Sequence, residues 1–214
     1  MSRRTRICPA GIPQHVIQRG DNRQTCFQGV SDRATYYMYL ARHSKAFDLD
    51  VHAWVLMDNH AHLLVTPNTD NALFPFMKAL SQSYAQYYNT KYNRTGKLWE
   101  PRYRACLVDT APYFLECQRY IELNPVMGRA VSHPDSFQWS SYGSHARGMK
   151  TRFHQPHECY LALHAEESVR RLRYQQFVSA KPPTDMAEKI RHALMSGWAL
   201  GDAEFRERMR ELGS

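Results

Sequence analysis

The stretch Val51-His-Ala-Trp-Val-Leu-Met-Asp-Asn-His-Ala-His-Leu-Leu-Val-Thr66 reads as two consecutive β-strands. Branched and large apolar residues fill both halves, and only Asp58-Asn59 separates residues 51–57 from residues 60–66. A two-residue connection folds such a pair into a tight antiparallel hairpin. Strand side chains alternate between faces, so His60 and His62 stand side by side, while Ala61, Leu63 and Val65 turn the other way into a core. Two imidazoles about 7 Å apart at their roots can converge on one divalent ion. A lone His-x-His is common, however, and the pair needs support from elsewhere in the chain.

Working outward, residues 13–19 read as a short strand followed by the turn Gly20-Asp-Asn-Arg23. A helix is expected from Ser31, a good N-cap, with Tyr36, Tyr37, Leu40 and Ala41 as its apolar stripe. A second helix over residues 71–92 carries Leu73, Phe76, Met77, Leu80, Tyr84 and Tyr88 at helical spacing, and Thr95-Gly96 ends it. Residues 103–109 form a strand. A third helix follows over residues 111–124, with Asp109 or Thr110 as cap, Pro112 in its first turn and Pro125 as its stop. Strand, helix, strand, strand, helix, strand is the order of a ferredoxin-like α+β unit, two helices on a small antiparallel sheet. The first domain is expected over residues 1–125. Residues 126–214 form an extension, irregular to about residue 155 and then mainly helical, broken once at Lys181-Pro-Pro183.

The chain has 214 residues, 43% of them hydrophobic, enough to bury a core. No apolar run of membrane-spanning length occurs, and the basic start Met1-Ser-Arg-Arg lacks the apolar stretch of a signal peptide. Five cysteines without C-x-x-C spacing argue against a disulfide framework and against a zinc ribbon, and the expected compartment is the cytoplasm. The net charge of +8 favours encounter with polyanions. Arginines among aromatics, as in Trp99-Glu-Pro-Arg-Tyr-Arg104, can grip phosphates and stack bases. Charge alone leaves a nucleic-acid partner open.

The third helix carries the second chemical signal, Gln118-Arg-Tyr-Ile-Glu-Leu-Asn-Pro125. Tyr120 and Asn124 are four apart and share a helix face. A tyrosine hydroxyl can attack phosphorus and leave a covalent phosphotyrosine, which splits one exchange of esters into two reversible steps. Its ordinary pKa near 10 means that it needs a cation or base nearby. Asn124 could complete a metal shell beside His60 and His62, and imidazoles with oxygen donors suit Mn²⁺ or Mg²⁺. With 13 tyrosines in the chain most are core residues. Tyr113, the competitor on the same helix, lies two turns away, about 10 Å along the axis. A histidine-triad hydrolase would need a third alternating histidine, but position 64 is Leu64.

Taken together, these residues resemble the HUH single-tyrosine transposases, specifically the REP-associated tyrosine transposases. The His-hydrophobic-His pair is His60-Ala61-His62, and the tyrosine helix, close to R-Y-I-E-x-N-P-V in the family, is matched from Arg119 to Val126. A G-x-x-W-E-x-R-Y stretch is matched from Gly96 to Tyr103, and Trp139-Ser-Ser-Tyr142 and Trp198-Ala-Leu-Gly-Asp-Ala-Glu-Phe205 are similar to later family segments. Asp58 stands where the pattern usually has proline, Ala61 is small for its position, and Met127-Gly128-Arg129 departs from the usual R-A-G. None of these removes a chemical group.

The resemblance implies a ferredoxin-like catalytic unit that cleaves single-stranded DNA with Mg²⁺ or Mn²⁺ through a 5′-phosphotyrosine. It implies DNA hairpins of repetitive extragenic palindromes as partners. By position, His60, His62 and Asn124 become metal ligands and Tyr120 the nucleophile, with Arg19, Arg23, Arg102 and Arg104 as candidate phosphate contacts. A non-cleaving hairpin binder and an RNA-binding module on the same scaffold are the alternatives. Monomer and homodimer both stay open.

Overall fold

The computed structural model describes residues 7–213 apart from Ala111, so residues 1–6 and the first residue expected in the third helix lie outside it. The hairpin forms as its alternation dictates. Strand β2 (Leu49–Met57) pairs antiparallel with β3 (His60–Pro67), with Met57 opposite His60 across Asp58-Asn59. Strand β1 (Gln14–Arg19) lies between β3 and β4 (Arg104–Val108), antiparallel to both. A short β5 (Ala199–Leu200) adds to the far side of β4, giving the order β2-β3-β1-β4-β5.

The first four strands follow the ferredoxin-like order. The fifth runs parallel to β4, which makes the sheet mixed rather than wholly antiparallel. Two residues are too few to show a strand period in sequence.

Each face of the sheet has its own core. On one face Val16, Leu56, Ala61, Leu63 and Val65 meet helices α1 (Val30–Ala46) and α2 (Leu73–Lys91). The apolar stripe expected on α2 is the buried one, Leu73, Phe76, Met77, Leu80, Tyr84 and Tyr88. Ser31 is not the cap of α1. The helix begins at Val30 after Gly29, and the Asp32 carboxylate takes the Gln28 N–H at 2.8 Å. Lys91 and Tyr92 of the α2 end hold that carboxylate, which makes it a better fixed acceptor than an exposed serine.

On the opposite face Ile17, Val55, Leu64, Cys106 and Val108 pack against α3 (Tyr113–Glu122) and α8 (Met186–Ser196). Helix α3 ends at Glu122, but Pro125 does not stop helical structure. It occupies the first turn of a short α4 (Asn124–Met127), where its missing N–H costs nothing. The expected irregular stretch also contains α5 (Tyr142–Arg147). Further on come α6 (Glu158–Leu161), α7 (Glu167–Ser179) and α9 (Ala203–Leu212).

Two segments quoted above find structural explanations here. Trp139-Ser-Ser-Tyr142 runs beside β2, where Leu56 N–H donates to the Trp139 carbonyl and Ser141 N–H to that of Trp54, both at 2.9 Å. In Trp198-Ala-Leu-Gly-Asp-Ala-Glu-Phe205, residues 199 and 200 are β5, and Asp202 caps α9 by accepting from Phe205 N–H at 2.8 Å. A Cβ on Gly201 would stand 2.4 Å from the Phe205 ring and 3.0 Å from Asp109 Cβ, so the turn admits glycine alone. Glu122 is fully buried and accepts from Ser141 Oγ at 2.5 Å, His145 Nδ1 at 2.7 Å and Tyr174 Oη at 2.6 Å. One carboxyl group thus ties α3 to α5 and α7.

Candidate active site

Register places the site on the face that α3 covers. Arg19 pairs with His60 and Ile17 with His62, so His15, Ile17, Arg19, His60 and His62 all project to that side. The His60 and His62 ring centroids are 5.1 Å apart, and Tyr120 comes in from α3 at 6.1 Å from His62. Strand β3 and helix α3 thus bring the histidine pair and the tyrosine together. Asn124, one turn beyond Tyr120, interacts with the His60 ring.

Neighbouring hydrogen bonds fix which atoms face the centre. Asn59 Nδ2 donates to the Arg23 carbonyl at 3.3 Å, so its Oδ1 is the acceptor that meets His60 Nδ1 at 2.6 Å. His60 therefore carries its proton on Nδ1, which leaves Nε2 as a lone pair. Asn124 Nδ2 donates to the carbonyls of Tyr120 at 2.8 Å and Ile121 at 3.3 Å, which turns its Oδ1 outward as a second lone pair.

Burial keeps the imidazoles neutral. His60 is pushed down to about 4 by burial and by Arg19, against the opposing pull of Asn124 and Asp58. His62 is held well below the ordinary range by burial first, then by His15 and His60. Neutral imidazole is the form that binds metal.

This donor set fits a divalent cation. The unprotonated His60 Nε2 and the Asn124 Oδ1 are lone-pair donors on the same side of the sheet as the neutral His62 ring, 5.1 Å from that of His60. Imidazole nitrogens with an amide oxygen are a chemistry that suits a cation. Among the described residues no group of three or more His, Cys, Asp or Glu is placed to hold a metal. His15 Nε2 is not part of this set, since it is bonded to His62 Nδ1 at 2.7 Å.

Tyr120 is half-buried and its hydroxyl is raised above 10 by burial, against the lowering influence of Arg191 and Arg19. It is thus a phenol in the resting protein, with two cations near enough to favour the phenolate. Tyr113 lines a separate groove with Lys189, Asp185 and Arg206. Of the other arginines, Arg23 is exposed in the turn after β1. Arg102 and Arg104 are also exposed, and they line a groove of about 1090 Å³ between β4, the start of α2 and α8. Neither histidine of the pair nor Tyr120 lines that groove.

Sequence reasoning missed three residues. His15 joins the histidine pair from β1, Arg191 reaches Tyr120 from α8, and Glu122 anchors the tyrosine helix from below. The spacing of His15, Ile17 and Arg19 was visible, but that they face His60 and His62 depends on a pairing register set across more than forty residues of chain.

Residues 10–124, more than half of the chain, match the family described as Transposase IS200 like. The chain belongs to that family. Membership implies a DNA-cleaving enzyme. A comparison with curated proteins gives no match. Among solved structures, this IS200-like chain is similar to a REP-associated tyrosine transposase bound to a REP hairpin, with a TM-score of 0.57 at 16% identity over 73% of this chain and 93% of that one. At that identity the likeness establishes the fold. A transposase-described protein from Deinococcus radiodurans R1 matches with a TM-score of 0.38 at 20% identity, over 44% of this chain and 75% of that one, and carries no further argument. Among the described residues no helix is long and apolar enough to cross a membrane.

Proposed function

We propose that this transposase nicks and rejoins single-stranded DNA beside hairpins of the REP type, with Tyr120 as nucleophile. The observation that carries the reading is the convergence of His60 and His62 from β3 with Tyr120 from α3, at ring separations of 5.1 and 6.1 Å. His60, His62 and Asn124 are the proposed seat of Mg²⁺ or Mn²⁺. A divalent ion there supplies charge stabilisation for the scissile phosphate and the departing oxygen.

The chain's own residues do the rest. Arg19 and Arg191 favour loss of the Tyr120 proton, and the phenolate oxygen attacks phosphorus. A bond forms between Tyr120 Oη and phosphorus as the bond from phosphorus to the 3′-oxygen breaks. That oxygen leaves as a 3′-hydroxyl once it takes a proton. The ester is exchanged rather than hydrolysed, so an incoming 3′-hydroxyl reverses the step and joins a new strand. Arg102 and Arg104 place positive charge along a groove that accommodates the flanking strand, and Arg23 extends it past β1. Residues 1–125 are the proposed catalytic domain, and residues 126–214 assist in holding DNA.

The test uses a hairpin-bearing single strand with Mn²⁺, labelled at each end in turn and denatured before separation. A protein-linked band is expected only when the label lies 3′ of the cut. Tyr120→Phe should abolish it while DNA affinity stays nearly unchanged, and Tyr113→Phe should keep it. Adduct persisting in Tyr120→Phe, or a 3′-linked adduct, overturns the assignment.

A further inference from the structure

His15 is a buried imidazole that the mechanism above does not use. It stacks on His62 at a centroid distance of 5.0 Å and lies 6.0 Å from the Tyr120 ring. Its Nε2 meets His62 Nδ1 at 2.7 Å, and its Nδ1 is buried with no partner among the described residues. An unpartnered buried polar atom is destabilising, so an apolar side chain at this position would serve packing better. A residue kept for packing alone does not explain the bond to His62.

Two neutral imidazoles sharing one hydrogen bond have two arrangements. When His15 Nε2–H donates, His62 keeps its own proton on Nε2 and cannot bind a cation through it. When His62 Nδ1–H donates, Nε2 is bare on the side where His60 and Tyr120 stand. In that second arrangement the His15 proton sits on Nδ1, the atom that has no partner.

We propose that His15 is a positioning residue that accepts the Nδ1–H of His62 and so presents His62 Nε2 to the cation. The inference rests on the metal seat proposed above. His60 is fixed in the matching state by a different device, the Oδ1 of Asn59 at 2.6 Å. Both histidines then offer Nε2, one oriented by an amide and the other by an imidazole. Metal-binding histidines depend on such a second partner for orientation and basicity, and losing it weakens metal binding about 10- to 100-fold.

Mn²⁺ affinity, read by electron paramagnetic resonance on the full chain without DNA, tests the idea in four proteins. His15→Phe keeps the ring and removes both nitrogens. Its affinity should fall about 10- to 100-fold, while its melting temperature stays at or above that of wild type. His15→Gln places an amide oxygen close to where Nε2 was, and should recover most of the affinity. His60→Ala should lose binding whether or not His15 has a role. Wild-type affinity in His15→Phe, or a His15→Gln no better than a folded His15→Phe, overturns the role of His15 and leaves the metal seat standing. Absence of binding in wild type overturns both. If His15→Phe does not fold, ¹⁵N correlation spectra of histidine-labelled wild type with Mg²⁺ decide. His62 protonated on Nδ1 supports the proposal, and His62 protonated on Nε2 refutes it.

Discussion

Replacing Glu122 by leucine should cost the fold far more than replacing it by glutamine. The carboxyl group is fully buried and accepts from Ser141 Oγ and Tyr174 Oη, and Ser141 Oγ has a second, longer contact of 3.4 Å to the Trp54 carbonyl. His145 Nδ1 donates to it as well, and His145 Nε2 meets His154 Nε2 at 2.9 Å, so the imidazole cannot turn without breaking a second bond. Leucine leaves the buried His145 and Tyr174 donors without this acceptor, each at about 1–3 kcal/mol, while Ser141 keeps its longer contact with the Trp54 carbonyl. A loss of at least about 2 kcal/mol follows, a large share of the 5–15 kcal/mol typical of a folded domain. Glutamine keeps Oε1 for Ser141 and His145, and its NH₂ can donate to the Tyr174 oxygen, so its cost should be about 1 kcal/mol. Urea unfolding at neutral pH, followed by tryptophan fluorescence, measures both. Glu122→Leu within 1 kcal/mol of wild type, or Glu122→Gln as damaging as leucine, would refute this account of how α3 is held.

Three further outcomes are expected. His60→Ala and His62→Ala should each greatly weaken Mn²⁺-dependent cleavage with the circular dichroism spectrum unchanged, and undiminished cleavage in both would remove the pair from the reaction. Single-strand affinity should fall with salt at a log–log slope of about −0.7 per neutralised phosphate, and Arg102→Ala and Arg104→Ala should each flatten it by up to about one unit; a salt-independent affinity counts against the groove. Without metal, stability should fall on acidification. Burial lowers His52 to about 4 and His154 to about 3, against about 6.5 unfolded, so each favours the folded state above pH 6.5 and loses that contribution as pH drops toward its folded value. The slope is up to about 1.4 kcal/mol per pH unit for each, and equal urea midpoints at pH 7 and pH 5 would falsify it.

The sequence made the βαββαβ order, the α2 stripe and the placing of His60 beside His62 legible, because each rests on local periodicity. Tyr120 and Asn124 were legible as a pair for the same reason, four residues apart on one helix. What stayed hidden depends on distant contacts. β5 has two residues and exists because β4 offers it a partner. Ser31 is not a cap because the helix starts one residue earlier, after Gly29, and Asp32 in its first turn is held by Lys91 and Tyr92 from the end of α2, a contact no local pattern shows. Pro125 looked like a stop because a proline resists continuation, yet it also suits the first turn of a new helix. His15 could be read as one more strand residue until β1 was set beside β3.

Of the four strands formed by residues 14–108, β2 and β4 are the outer two, and residues after position 125 lie against both. Beyond β2, Leu56 N–H donates to the Trp139 carbonyl, Ser141 N–H donates to the Trp54 carbonyl, and Gln155 N–H donates to the Val51 carbonyl, each at 2.9 Å. Beyond β4, Leu107 pairs with Ala199 and Val108 with Leu200. Every one of these covering residues follows position 125 and is therefore synthesised after β1 to β4. Until they arrive, a nascent chain presents two bare ladders of amides and carbonyls, the template on which neighbouring chains stack into aggregates. A chain cut at residue 125 would therefore keep β1 to β4 yet lose the covers on both β2 and β4, and it should aggregate more readily than the full chain.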